Sequence, residues 1–160
     1  TRPTMERVKE SLFAMIQDKL DGSVVLDLFA GSGNLGIEAI SQGAKKAILV
    51  DYNIKAIKVI DKNVNNLNIE PFISIVHSDY IKAIEKCKDI KFDIIFLDPP
   101  YKTDFIEKSI KKITENNMLN DSGIIVCESS MIDKIVYPSI YSVIKDKKYG
   151  DKYVVILKKM

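Results

Sequence analysis

The chain is predicted to fold as an α/β protein. The expected architecture is an open, mostly parallel seven-stranded sheet with helices on both faces and a C-terminal antiparallel hairpin. Three observations predict it. Short apolar runs alternate with segments of helical periodicity along the whole chain. The runs VVLDLF, AILV, FISIV, FDIIFL and GIIVC are evenly apolar, as strands covered on both faces must be. Two last strand-like segments flank Tyr149-Gly150 and read as a hairpin.

Each element has its own reason. Met5, Val8, Leu12, Met15, Ile16 and Leu20 recur at helical spacing behind Pro3, so a helix is expected over Thr4–Leu20, with Gly22 as its stop. Ser23–Phe29 is a strand interrupted only by Asp27, and Asn34–Gln42 is a helix ended by Gly43. Lys46–Val50 is the second strand. Asn53–Asn66 is a helix with Ile57, Ile60 and Val64 on one face. Phe72–Val76 is the third strand, Tyr80–Lys88 a short helix and Phe92–Leu97 the fourth strand. Asp104–Asn116 is a helix that Thr103 would cap. Gly123–Glu128 is the fifth strand, and Ser139–Lys145 with Lys152–Lys158 form the hairpin.

The 160 residues fit one domain spanning 1–160, large enough to bury a core without staples. No apolar run is long enough to cross a bilayer and no secretory leader is visible, which points to a cytoplasmic protein without a membrane partner. The two cysteines, Cys87 and Cys127, lack metal or disulfide spacing, and His77 is the sole histidine, so no metal is expected. His77 itself reads as a surface or packing residue. A net charge of +2 is too small to identify a polyanion partner. The tail does concentrate Lys145, Lys147, Lys148, Lys152, Lys158 and Lys159 against Asp146 and Asp151, which suits either a phosphate-facing patch or a solvated hairpin. The only arginines, Arg2 and Arg7, stand together near the start, where planar forked donors for RNA or a carboxylate, or plain helix-end charges, are the readings.

Asp27-Leu28-Phe29-Ala30-Gly31-Ser32-Gly33-Asn34-Leu35-Gly36 joins a strand to a helix and carries G-x-G-x-x-G, a loop that lets the backbone approach a ligand closely. The same pattern marks dinucleotide binders. Asp27 narrows it, because a carboxylate beside the loop repels a pyrophosphate and welcomes a cation. S-adenosylmethionine carries a sulfonium and an ammonium and no phosphate. Asp51 ends the next strand, 20 positions after Gly31, where an acid accepts ribose hydroxyls. Asp79 follows the third strand and is placed for the adenine edge. Tyr52 and Tyr80, next to these acids, can pack on adenine or simply begin helices.

Asp98-Pro99-Pro100-Tyr101 follows the fourth strand. An acid, a carbonyl whose direction two prolines lock, and a ring for stacking form a holder for a flat amino group. Hydrogen bonds to Asp98 and to the Pro99 carbonyl would hold an exocyclic amine and favour its attack on an electrophilic methyl, with Asp98 stabilising the positive charge that develops. The residues alone leave other readings open. A dehydrogenase would use Asp51 but leaves this tetrapeptide without a task. A methyltransferase for adenine N6 or another exocyclic amine of DNA or tRNA uses it equally well, although no added recognition domain is visible. A nonenzymatic RNA-binding module is a third possibility.

Thr1-Arg2-Pro3-Thr4, Arg7-Val8 and Glu10-Ser11-Leu12-Phe13, combined with the glycine loop and the Asp-Pro-Pro-Tyr sequence, resemble the RsmD-type ribosomal RNA methyltransferases. The resemblance extends over nearly the whole chain, through Glu128 and Tyr149-Gly150. It implies a Rossmann-like class I methyltransferase fold, and transfer of a methyl group from S-adenosylmethionine to the N2 amino group of a guanine in 16S rRNA. It assigns the cofactor to Asp27, Phe29, Ala30, Gly31, Gly33, Asn34, Gly36, Asp51, Tyr52, Asp79 and Tyr80. The target base falls to Asp98, Pro99, Pro100 and Tyr101, and the opening segment, with Arg2, Thr4 and Arg7, to cofactor or RNA. The implied partner is 16S rRNA or a small-subunit assembly intermediate, bound by a monomer. Family members usually carry a short RNA-engaging β-hairpin ahead of Arg-Pro-Thr. This chain begins at that segment, without an initiator methionine, so a trimmed fragment of lowered RNA affinity is expected.

Overall fold

The computed structural model describes residues 3–100, 104–130 and 135–160, the side chains of 3–5 excepted. Seven strands form one sheet: β1 (Val24–Asp27), β2 (Lys46–Asp51), β3 (Ile73–His77), β4 (Phe92–Leu97), β5 (Leu119–Ser129), β6 (Tyr141–Tyr149) and β7 (Lys152–Lys159). Their order is β3-β2-β1-β4-β5-β7-β6. The first five are parallel, and β7 pairs antiparallel with both β5 and β6. The predicted architecture is therefore present, hairpin included.

Side chains alternate between two cores. Val25, Leu49, Phe96, Val126 and Ile156 point to one face, covered by α1 (Pro3–Met15), the short α2 (Gln17–Leu20), α3 (Asn34–Ser41) and α4 (Ile54–Asn66). Leu26, Ile48, Ile95, Leu97 and Ile125 point to the other, covered by α5 (Tyr80–Lys86) and α6 (Asp104–Glu115). On α6 the burial of Ile106, Ile110 and Ile113 follows the i, i+4, i+7 stripe of an amphipathic helix.

Several boundaries depart from expectation; β1, for one, spans only Val24–Asp27, with Leu28 and Phe29 already in the turn. The first helix breaks at Ile16 (φ −110°, ψ 10°), a turn that sends both Ile16 and Leu20 into the core. Strand β5 begins at Leu119, earlier than expected, because an irregularity in its pairing with β4 lets the chain pair with Phe92 and again from Ile94. Asp93 secures this corner by accepting from the Val24 amide and the Asn120 side-chain amide, both at 2.9 Å. Strand β6 runs on to Tyr149, so that Gly150 (φ 62°) and Asp151 alone make the turn to Lys152. Strand β3 runs one residue past the expected Val76 to His77, whose Nε2 donates to the Tyr52 carbonyl at 2.9 Å. The expected cap Thr103 lies outside the described residues.

Candidate active site

The carboxyl ends of β1, β2, β3 and β4 open into one cleft of about 1080 Å³. Parallel strands leave their terminal amides and loop side chains at that edge, which is where open α/β sheets bind ligands. Phe29, Ala30, Gly31 and Asn34 line it from the first loop, Asp51 and Tyr52 from the second, Asp79 and Tyr80 from the third, and Asp98 and Pro100 from the fourth.

The glycine loop is held from several sides. The Gly31 amide donates to Asp51 Oδ2 and the Asn53 amide to Asp51 Oδ1, each at 2.9 Å. Asn63 on α4 donates to the Ser32 carbonyl at 3.1 Å. Gly33 has φ +86°, a left-handed conformation that side chains disfavour, and it opens α3. A Cβ on Gly36 would lie 2.0 Å from Leu49 Cδ2, so helix and strand approach as closely as they do only because that position is glycine. Gly33 and Gly36 thus shape the loop from behind and do not line the cleft.

Asp27 is 1 % exposed, and neither carboxylate oxygen has a hydrogen-bond partner. Burial pushes its carboxyl up to about 7, helped by the charges of Asp98 and Asp51; the Gly36 and Phe29 amides lie close enough to temper the rise without closing bonds of ordinary geometry. A buried, unpartnered carboxyl directly behind the glycine loop is a group waiting for a cation or a donor.

Aromatic rings form the wall toward α6. Phe29, Tyr80 and Phe105 stack and tilt on one another with centroids 4.8 to 6.1 Å apart. Tyr52, 68 % exposed, stands free at the rim. Asp79 both lines the cleft and caps α5, accepting from the Lys82 amide at 3.0 Å. Helix α1 closes another side with Val8 and Lys9, and Lys9 reaches Asn34 Oδ1 at 3.4 Å and Glu38 Oε1 at 3.5 Å.

Asp98 stands at the mouth of β4, partly exposed. Its Oδ1 meets Lys152 Nζ at 3.1 Å, and the same ammonium lies 3.6 Å from Glu128 Oε2. Pro100 lines the cleft beside it, whereas Pro99 is half-buried and does not. Arg7 is exposed on α1 and also does not line the cleft; its neighbours Val8 and Lys9 do. Arg2, the Thr4 side chain and Tyr101 lie outside the described residues. The sequence reading did not single out Lys9, Phe105, Glu128, Tyr149 or Lys152 as cleft residues. Glu128 was the most accessible of these: it follows a buried apolar run by period two, the same signal that Asp27 carries. Among the described residues no cluster of three potential metal ligands occurs, and no helix is long and apolar enough to cross a membrane.

A glycine loop over a buried acid, sharing a cleft with an Asp-Pro-Pro corner on this sheet order, defines a methyltransferase. The family described as "Conserved hypothetical protein 95" matches residues 1–158. The chain is 42 % identical over 130 residues to "Putative rRNA methyltransferase YlbH" of Bacillus subtilis, covering 80 % of this chain and 71 % of that protein. It is 33 % identical to "Ribosomal RNA small subunit methyltransferase D" of Haemophilus influenzae, covering 93 % and 78 %. The solved structure "Putative methyltransferase yhhF from Escherichia coli" superposes with a TM-score of 0.89 at 28 % identity, over 96 % of this chain and 86 % of that one. The chain belongs to the RsmD family.

Proposed function

We propose that the protein transfers the methyl group of S-adenosylmethionine to the exocyclic N2 amino group of a guanine in 16S rRNA, free or in an assembling small subunit. The observation that carries the proposal is the position of Asp98 in the same cleft as the glycine loop and Asp51. Family membership and the names of the relatives support the ribosomal substrate.

The residues suit the cofactor. Asp51 retains acceptor capacity for ribose hydroxyls, Tyr52, Asp79 and Tyr80 flank the space an adenine would take, and the unpartnered Asp27 carboxyl, which lies behind the glycine loop and does not itself line the cleft, is assigned to the ammonium. Bound there, S-adenosylmethionine supplies a methyl carbon on a sulfonium, to which the amine nitrogen bonds while the carbon–sulfur pair stays with sulfur. Asp98 holds the amine, orients its lone pair and stabilises the charge it gains, and the Pro99 carbonyl, set back from the cleft lining, is assigned as the second acceptor. Tyr101 is assigned to stacking on the base, and Arg2, Thr4 and Arg7 to RNA. A base inside a duplex must first be turned out of its stack.

The test is methylation of small-subunit particles lacking the modification, followed by nucleoside mass spectrometry. N2-methylguanosine is the expected product. N6-methyladenosine without any change in guanine would instead make the protein an adenine methyltransferase.

A further inference from the structure

Strand alternation delivers four ionisable side chains to one place. Val25, Phe96 and Val126 precede Asp27, Asp98 and Glu128 by two residues, and Val154 follows Lys152 by two; all four apolar residues lie in the core beneath α1. The two-residue period therefore turns the four ionisable groups to that same face. Glu128 and Lys152 belong to neither the glycine loop nor the Asp-Pro-Pro corner. Both line the cleft, Lys152 touches Asp98 at 3.1 Å and Glu128 at 3.6 Å, and the Glu128 carboxyl is within hydrogen-bonding reach of Asp98.

We propose, resting on the methyl-transfer reading, that Glu128 and Lys152 are positioning residues for Asp98: Glu128 is a neutral acid donating to the Asp98 carboxylate and Lys152 a cation pinning it, so that Asp98 meets the amine as a fixed, charged acceptor.

The charge balance supports this division of labour. The carboxyls of Asp98 and Glu128 share a single ammonium, and ionising both beside Asp27 would strand negative charge out of water. Of these two, the proton belongs on the group with less access to solvent. The Glu128 side chain is 7 % exposed and that of Asp98 30 %. Burial accordingly pushes Glu128 up to about 8, Asp98 and Asp27 add to the rise, and Lys152 opposes it. Burial also works against the Lys152 ammonium, but Asp98 and Glu128 outweigh it and hold that cation above its ordinary range. Once the nitrogen carries its new methyl, one N–H bond breaks and leaves its electron pair on nitrogen. The proton moves to Asp98 and from there to water, while Glu128 keeps its own.

The test uses the full chain and unmodified small-subunit particles, reading single-turnover transfer from neutral to alkaline pH with S-adenosylhomocysteine affinity measured alongside. Glu128→Gln keeps a donor that cannot ionise. The parent is expected to lose rate as Glu128 ionises above about 8, and Glu128→Gln to match it at neutral pH without that fall. Glu128→Leu and Lys152→Met are expected to lower kcat about 10- to 100-fold with KM and S-adenosylhomocysteine affinity unchanged, and Lys152→Arg to recover most of it. A Glu128→Gln variant as impaired as Glu128→Leu, or a Lys152→Met variant at the parent rate, overturns the inference. Carbon-13 carboxyl titration of the full chain gives a readout without substrate. Glu128 is expected to titrate near 8, and higher in Lys152→Met; titration in the ordinary carboxyl range overturns the inference. A parent that transfers no methyl group counts against the functional reading, and the titration then decides the charge arrangement by itself.

Discussion

The Gly31 amide donates to Asp51 Oδ2 at 2.9 Å, so the acid that ends β2 fixes the loop that leaves β1. The same carboxylate takes the Asn53 amide at 2.9 Å, which makes it the joint of two cleft walls before any ligand arrives. Asp51→Ala removes both bonds. Bonds to a charged acceptor contribute roughly 1.5–3 kcal/mol each, and the half-exposed position lowers that figure. A loss of about 1–3 kcal/mol in urea unfolding is expected, with S-adenosylhomocysteine binding at least ~10-fold weaker by calorimetry. Binding unchanged in a folded variant would contradict this role.

Gly36 permits α3 to rest on β2. In Gly36→Ala the new methyl would fall 2.0 Å from Leu49 Cδ2, so helix or side chain must shift. Overpacking of this kind costs about 1–3 kcal/mol. Chemical denaturation is expected to show that loss, and Leu49→Ala combined with Gly36→Ala to cost less than the two single changes added together.

Asp27 gives stability a pH slope. Its carboxyl is raised from 3.8 to about 7 on folding, so between those values the folded chain holds a proton that the unfolded chain releases. The contribution is complete below pH 3.8 and is lost as pH rises through about 7. The full span corresponds to on the order of 4 kcal/mol. Asp27→Asn is expected to flatten this part of the slope in denaturation curves taken from mildly acidic to neutral pH. An identical slope in the variant would show that Asp27 is not held protonated.

Asp98 is assigned to the amine rather than to the cofactor. Asp98→Ala is expected to lower methyl transfer by at least ~10³-fold while S-adenosylhomocysteine affinity stays within about threefold. Lys152 keeps Glu128 as a partner at 3.6 Å in that variant, so the fold is expected to survive. Transfer at the parent rate, read by tritium incorporation, would remove Asp98 from the chemistry.

The strands were legible because burial on two faces leaves an unmistakable mark, as in Ile94 to Leu97, and the cofactor loop because glycine spacing is local. Asp27 was legible as the one acid inside an apolar run and Asp98 as the acid ending another. Lys152 was not, because 54 residues separate it from Asp98 and only the insertion of β7 beside β5 brings them together. The break at Ile16 was hidden for a different reason. Ile16 and Leu20 fit an unbroken helical stripe, and the turn shows only in the backbone angles. The carboxylate of Asp51 is legible as the acid ending a strand, whereas its bonds to Gly31 and Asn53 depend on the approach of two loops that no local pattern records.

The account rests on one cleft holding a methyl donor at the glycine loop and an amine at Asp98. A crystal structure with S-adenosylhomocysteine bound tests it most directly. The predicted result is an amino acid moiety near Asp27, ribose hydroxyls on Asp51, and the sulfur facing Asp98 across the space a base would occupy. A sulfur directed away from Asp98, or a ligand seated outside the glycine loop, would contradict it.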